Sequence, residues 1–193
     1  MPIPVALIPD RDIPPDVAKQ LIGDRETEGE YSADRKQAHL GSLMADAGGC
    51  VEVFPSEQWT LEFDLARQHD LAVLIHQAVE LAKRAASETA VKIKADAAAE
   101  VTAWQADASK AADAVALEIY TPLKKKSVSK AQVAEQLAKL IDELPDAPAT
   151  FRAKLPIYLA DAIDHVTGIL PPNDGGHGGP TGTGAAVPGG GAA

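Results

Sequence analysis

The feature that most constrains the fold is a short apolar run near the N-terminus that stops abruptly at charged residues. Residues 3–8 read Ile-Pro-Val-Ala-Leu-Ile, and after Pro9 the chain continues as Asp10-Arg11-Asp12. A continuous apolar run of this length is typical of a strand that is buried on both faces, as in a parallel sheet. We therefore expect an α/β layer to begin here.

A second strand is predicted over residues 51–54, which read Val-Glu-Val-Phe. Between the two strands, Ser32 offers a capping side chain for a helix over about 35–47, and Gly48-Gly49 ends that helix. Another helix is expected to begin near Thr60. Strand, helix, strand and helix in this order form a fragment of an α/β layer with a parallel sheet.

The rest of the chain has helical periodicity and is rich in alanine. Apolar residues make up 46% of the sequence but aromatic residues only 4%, a balance that favours helical layers with thin cores. Thr121-Pro122 is expected to break the helical pattern. The helical segments are predicted at about 60–87, 95–120, 129–144 and 156–166.

These patterns predict a mostly helical protein with three parts. A partial α/β domain covers residues 1–68, and an all-α helical domain covers 69–170. Residues 171–193 are rich in glycine, proline and alanine, a composition that cannot bury a core, so we expect this tail to be disordered.

Charge and composition exclude some classes of protein. The formal net charge of −10 argues against broad electrostatic adhesion to DNA or to an anionic membrane, but it is compatible with a metal site built from carboxylates. The single cysteine, Cys50, excludes an internal disulfide and fits a reducing cytoplasm. No apolar segment approaches the length of about 18 residues that a membrane span needs, so no membrane association is expected.

Asp10 and Asp12 are the first candidates for a functional site. They follow the predicted strand at the edge where α/β sheets bind their ligands, and alternate residues of an extended chain point the same way. Mg²⁺ prefers such oxygen ligands. The haloacid-dehalogenase phosphotransferases also begin with Asp-x-Asp, but Pro14 stands where they have Thr or Val. A turn rich in Asp and Pro with no ligand is the remaining alternative.

Together with a second segment, this motif identifies a resemblance. The chain reads Val-Ala-Leu-Ile-Pro-Asp-Arg-Asp-Ile-Pro-Pro from Val5 and Trp-Thr-Leu-Glu-Phe-Asp-Leu-Ala from Trp59. Both segments resemble the Toprim module of the OLD (overcoming-lysogenization-defect) family of ATP-dependent endonucleases, in the class that works with a UvrD-like helicase. The resemblance implies a partial Toprim fold, cleavage of DNA, and Mg²⁺ or Mn²⁺ held by Asp10, Asp12 and Glu62.

Two carboxylates of the second segment have alternative explanations. Glu62 lies in the predicted first turn of a helix, where an acidic residue is favourable without any metal. Asp64 is either a partner of the metal ligands or a residue on a solvated helix face, and we favour the solvated face.

A third segment, from Ser127 to Ala138, is similar to a helix of the helical domain in this family. The resemblance implies that Lys130 reaches across to the metal site, where a lysine can stabilise charge that develops on the scissile phosphate. The alternative is a solvent-facing lysine at the start of a helix.

The resemblance covers about residues 5–168 and leaves out two parts of the family. No residue matches the glutamate that opens a Toprim module, and no phosphate-loop motif of an ATPase is present. We therefore expect a catalytic fragment that depends on an ATPase and Toprim half supplied by another chain. The alternative is a non-enzymatic helical module that binds a protein partner.

Overall fold

The computed structural model describes residues 3–84, 89–145 and 151–168, so the predicted tail at 171–193 lies outside the described residues. The protein is mostly helical, as predicted, and no helix in these ranges is both long and apolar enough to cross a membrane. The elements are β1 Val5–Leu7, α1 Lys19–Ile22, α2 Ala33–Leu43, β2 Val51–Val53, α3 Leu61–Arg67, α4 His69–Arg84, α5 Ala90–Ala106, α6 Ala112–Lys124, α7 Lys130–Asp142 and α8 Ile157–Thr167.

The two strands form a small parallel sheet. Val5 lies opposite Val51, and Leu7 lies opposite Val53. The connection between the strands runs through α2, whose start is capped by the Ser32 hydroxyl, which accepts the Arg35 N–H at 3.3 Å. The predicted pairing of these two strands is confirmed, and it brings their carboxyl ends to the same edge of the sheet.

The prediction that the first strand is buried on both faces is wrong. The side chains of Val5 and Leu7 are each 39% exposed, whereas Val53 on the neighbouring strand is buried. Helix α8 packs on the sheet, but an open groove of about 320 Å³ remains beside Leu7 and Leu43. Burial on both faces requires a second covering layer over β1, and the described residues do not provide one.

Two predicted helix boundaries are also wrong. Pro122 lies inside α6, because a proline near the C-terminal end removes one hydrogen bond while the buried Ile119 and Leu123 hold the helix against the core. The chain breaks earlier, where the Asp107 carboxylate accepts the Ser109 N–H at 3.0 Å. This local hydrogen bond gives the backbone an alternative to the helix.

The core combines one aromatic cluster with many small side chains. The rings of Trp59, Phe63 and Tyr120 meet edge to face, with centroids 4.9–6.0 Å apart. Buried alanines from α3 to α6 let the surrounding helices approach closely. Trp59 is therefore a packing residue.

Glu80 is a charged side chain within this helical core. It is 4% exposed, and its carboxylate accepts hydrogen bonds from Lys83 Nζ and Arg84 Nε, both at 2.6 Å. Burial alone raises the pKa of the Glu80 carboxyl, but the two cations outweigh it, and the net shift is downward. The ionised form of Glu80 thus stabilises the folded chain.

We predict that Glu80→Gln lowers the free energy of unfolding by about 1–2 kcal/mol near neutral pH, because two charge-assisted hydrogen bonds are lost. The folded pKa lies below the ordinary value of 4.5. The stabilisation is therefore present above about 4.5 and is lost as the pH falls through the folded pKa. Urea denaturation of both proteins from about pH 7 to about pH 3 measures the difference.

The matched control is Glu118→Gln, because Glu118 is an exposed helical glutamate whose partner is Lys110, with the two charged groups 3.2 Å apart. Its effect is expected to stay within about 0.5 kcal/mol at every pH. A Glu80→Gln effect that is independent of pH would contradict the assignment to the ionised carboxylate.

Candidate active site

The two loops that leave the carboxyl ends of the strands are joined by backbone hydrogen bonds. The Asp12 N–H donates to the Trp59 carbonyl at 3.0 Å, and the Ser56 N–H donates to the Pro9 carbonyl at 3.0 Å. The Arg11 N–H donates to Ser56 Oγ at 2.7 Å. Residues from the first and second sequence motifs therefore lie side by side at one edge of the sheet.

Asp10 lies against the start of α3. The Leu61 N–H donates to Asp10 Oδ1 at 3.0 Å. The preceding residue, Thr60, caps the helix, since its hydroxyl accepts the Phe63 N–H at 3.3 Å. The free N–H groups of a helix start stabilise a nearby anion, which explains why a carboxylate is held here.

Glu62 and Lys130 join the α/β part of the chain to the helical part. Lys130 Nζ lies 2.7 Å from Glu62 Oε1, and their side chains are 56% and 24% exposed. The second carboxylate oxygen, Glu62 Oε2, is buried and has no hydrogen-bond partner among the described residues. One oxygen of Glu62 is thus neutralised by the lysine, while the other has none of the donors that a buried oxygen needs.

Asp10, Glu62 and Lys130 form one cluster, because Asp10 accepts the N–H of the residue before Glu62 and Glu62 contacts Lys130. Partial burial lowers the pKa of Lys130, but Glu62, Tyr120 and Asp10 outweigh it and raise the pKa overall. Burial raises the pKa of the Tyr120 hydroxyl, and the negative charges of Glu62 and Asp10 raise it further. Lys130 is therefore held in its charged form beside two carboxylates.

Asp12 is directed elsewhere. Its carboxylate Oδ1 lies 3.1 Å from Arg25 Nη2, and the same nitrogen is 3.3 Å from the Asp12 carbonyl. The backbone of Asp12 has a φ of 55°, in the left-handed region that aspartate tolerates better than most residues. The structure thus brings Asp10, Glu62 and Lys130 together but pairs Asp12 with Arg25.

Within residues 3–84, 89–145 and 151–168, no three His, Cys, Asp or Glu side chains are arranged to hold a metal ion together. The three-carboxylate site of Asp10, Asp12 and Glu62 therefore remains a prediction.

Asp64 contradicts the expectation of a solvated helix face. It is 2% exposed, and its carboxylate accepts three consecutive backbone N–H groups, from Glu57 at 2.7 Å, Gln58 at 3.3 Å and Trp59 at 3.4 Å. Burial raises the pKa of Asp64, and the three N–H groups oppose that shift. Asp64 thus positions the loop that precedes α3. Helical spacing could not reveal this role, because the partners are backbone groups outside the helix.

Tyr158 on α8 adds to the surroundings of Asp64. The Tyr158 side chain is 8% exposed, and its buried hydroxyl has no hydrogen-bond partner among the described residues. Burial first, and then the neighbouring Asp64 carboxylate, raise the pKa of the Tyr158 hydroxyl, so the phenol stays neutral. A neutral phenol beside Asp64 adds no negative charge to the buried loop.

We predict that Asp64→Ala lowers the free energy of unfolding by about 2–4 kcal/mol, because it leaves three loop N–H groups without their acceptor. Denaturant unfolding followed by circular dichroism measures the loss. Asp70→Ala provides the control, since Asp70 is 65% exposed and its effect is expected to stay under about 0.5 kcal/mol. Equal effects of the two substitutions would contradict the structural role of Asp64.

Comparison of the chain with protein-family models, with curated proteins and with solved structures found no significant match. The resemblance to the OLD nucleases is therefore carried by the three sequence segments alone.

Proposed function

We propose that this chain is a catalytic part of a divalent-metal-dependent DNA endonuclease, in which the two strands and α3 belong to a Toprim module. The observation that carries the proposal is the contact of Lys130 Nζ with Glu62 Oε1 at 2.7 Å beside Asp10. These residues come from three separate sequence motifs, and a cluster of two carboxylates and a lysine suits phosphodiester hydrolysis.

The donor set fits Mg²⁺ or Mn²⁺. Asp10 and Glu62 offer hard oxygen ligands, and Mg²⁺ is commonly held by one or two protein carboxylates with water completing the shell. Glu62 Oε2 is a buried oxygen without a partner, which a cation would satisfy. Asp12 joins as a third ligand in this proposal, after releasing Arg25, from which its carboxylate lies 3.1 Å away.

In this proposal each residue of the cluster has a distinct role in metal binding or catalysis. Asp10 and Glu62 would hold the ion, which would supply Lewis-acid polarisation of a phosphodiester for attack by water. Lys130 neutralises Glu62 in the absence of the ion and, in its presence, stabilises the charge that develops on the phosphate. Asp64 keeps the loop before α3 in place, so that Glu62 stays oriented.

Partners follow from the same proposal. Val5 and Leu7 on β1 are each 39% exposed, which suits a strand whose open face is covered by a further part of the module. We propose that an ATPase and Toprim half, together with a UvrD-like helicase, act with this chain on DNA. In this proposal that half completes the metal site, so cleavage by these 193 residues alone is expected to be weak.

Binding of Mn²⁺ is the first test. A ligand that binds the folded state alone stabilises it by about 2.7 kcal/mol at a concentration of 100 Kd. Millimolar Mn²⁺ should therefore raise the melting temperature of the parent by several degrees, as measured by differential scanning fluorimetry. Asp10→Ala and Glu62→Ala should abolish the shift, and Asp12→Ala should reduce or abolish it.

The control for this test is Asp24→Ala, which removes an exposed carboxylate outside the cluster and should leave the Mn²⁺ shift unchanged. Equal shifts in the parent, Asp10→Ala and Glu62→Ala would mean that the acidic residues are structural. The alternative of a non-enzymatic helical interaction module would then be preferred.

Lys130→Met separates metal binding from catalysis. Because Lys130 competes with a cation for Glu62, its removal should keep or enlarge the Mn²⁺ shift. Nicking of supercoiled plasmid in Mn²⁺, weak but measurable in the parent, should fall by a factor of about 10² or more. Lys130→Arg keeps the charge and should retain part of the activity. Nicking that is equal in the parent, Lys130→Met and Asp10→Ala would contradict the nuclease proposal.

A further inference from the structure

The turn between α6 and α7 carries a concentration of positive charge that the rest of the chain lacks. Between Glu118 and Glu135 the sequence contains four lysines and no carboxylate, in a chain whose net charge is −10. Three of these lysines, at positions 124–126, end α6 or follow it directly, and the fourth, Lys130, begins α7. We call residues 124–130 the basic turn.

The lysines at 124–126 have no acidic partner among the described residues. Lys125 and Lys126 are exposed, and Lys124 lies 5.2 Å from the centre of the Trp59 ring. Most other lysines of the chain are paired, as Lys139 is with Glu135 at 2.7 Å. An uncompensated group of cations in an acidic protein attracts an external anion.

The backbone conformation of the basic turn is unusual for a lysine. Lys126 has a φ of 55°, and Ser127 N–H donates to the Pro122 carbonyl at 3.0 Å, which is the helix-ending motif that normally has glycine at the left-handed position. Glycine at position 126 would remove the strain of a Cβ there. The lysine at this position therefore costs a little stability and places a charge in the turn.

A shallow groove of about 560 Å³ lies beside the basic turn. Its lining combines the buried side chains of Leu123 and Val128 with exposed polar residues, which are Lys126, Ser127, Ser129 and Gln132. Lys130, whose Nζ lies 2.7 Å from Glu62, also lines the groove. The groove is therefore adjacent to the candidate active site.

We propose that the basic turn binds the phosphate backbone of a nucleic-acid strand and guides it to the cluster of Asp10, Glu62 and Lys130. Lysines and hydroxyl groups contact phosphate oxygens without reading sequence, which suits an enzyme that must position a strand. The inference deepens the proposed function and rests on it in one respect, which is that the bound nucleic-acid strand runs toward the metal site.

A nucleic acid fits this surface better than an anionic membrane does. Peripheral membrane binding by a basic segment is strengthened by apolar side chains that insert beside the charges. Here the apolar residues of the turn, Leu123 and Val128, are buried at 4% and 7% exposure. The exposed groups are ammonium, hydroxyl and amide, which match phosphates in water rather than acyl chains.

The test measures the binding of a fluorescein-labelled single-stranded DNA of about 20 nucleotides, by fluorescence anisotropy in the presence of EDTA. Removing two phosphate contacts reduces the slope of log affinity against log salt by about 1.4, which corresponds to roughly 25-fold weaker binding at about 0.1 M salt if the affinities converge near about 1 M. The double variant Lys125→Gln/Lys126→Gln should show both changes. Lys126→Gly should weaken binding while its melting temperature is equal to or higher than that of the parent.

The matched control is Lys110→Gln/Lys139→Gln, which removes the same charge from two lysines that have glutamate partners elsewhere on the surface. It should retain parental affinity within about two-fold. Equal affinities of the parent and the basic-turn variant would overturn the proposal, as would equal losses in both double variants. Binding to phosphatidylserine vesicles that needs Lys125 and Lys126, without binding to DNA, would also overturn it.

This experiment is independent of the metal site, because EDTA removes divalent ions from the assay. A failed Mn²⁺ shift with intact DNA binding would reject the nuclease site and leave the basic turn as a nucleic-acid interface. An intact Mn²⁺ shift with no effect of Lys125 and Lys126 on DNA binding would reject the basic turn alone.

Discussion

The pairing of two loops at one edge of a two-stranded sheet is the interaction on which the rest of the candidate site depends. Six strand residues cannot fix the geometry by themselves, since a two-stranded sheet is marginal in water. The hydrogen bonds of Arg11 and Asp12 to the loop before α3 extend the contact beyond the strands. Asp64 then fixes that loop, because its carboxylate accepts hydrogen bonds from three backbone N–H groups of the loop.

The contact of Lys130 with Glu62 extends this order into the helical part of the chain. Helix α3 packs against α4 and α6, and α4 packs against α5 and α7, so the helix that bears Lys130 is held by the core and not by the ion pair. A pair of this exposure contributes little to stability. The importance of this pair is its position. The packed core holds α7 so that the Lys130 ammonium group lies at the first turn of α3, and a rotation of α7 would move that group away from Glu62.

Sequence reasoning succeeded where one pattern determines one structure and failed where tertiary partners decide. The pairing of Val5–Leu7 with Val51–Val53 and the cap at Ser32 followed from apolar runs and capping chemistry. The burial of β1 was wrong, because an apolar strand reports what it would bury and not whether a covering layer exists. The role of Asp64 was missed, because an acidic residue in a first turn has the same local signal whether water or a loop surrounds it.

Strained backbone positions show independently where the residue present is not the one that would make the fold most stable. Among the described residues, the non-glycine positions with a left-handed φ are Asp12 and Lys126, each at 55°. One lies in the loop that carries the acidic pair, and the other lies in the basic turn, so the two strained positions carry opposite charges. Glycine would adopt this conformation without strain at both positions, and aspartate tolerates it better than lysine does. Aspartate and lysine at these positions give up a little stability for charge, which fits the roles proposed for the two segments in holding a cation and a polyanion.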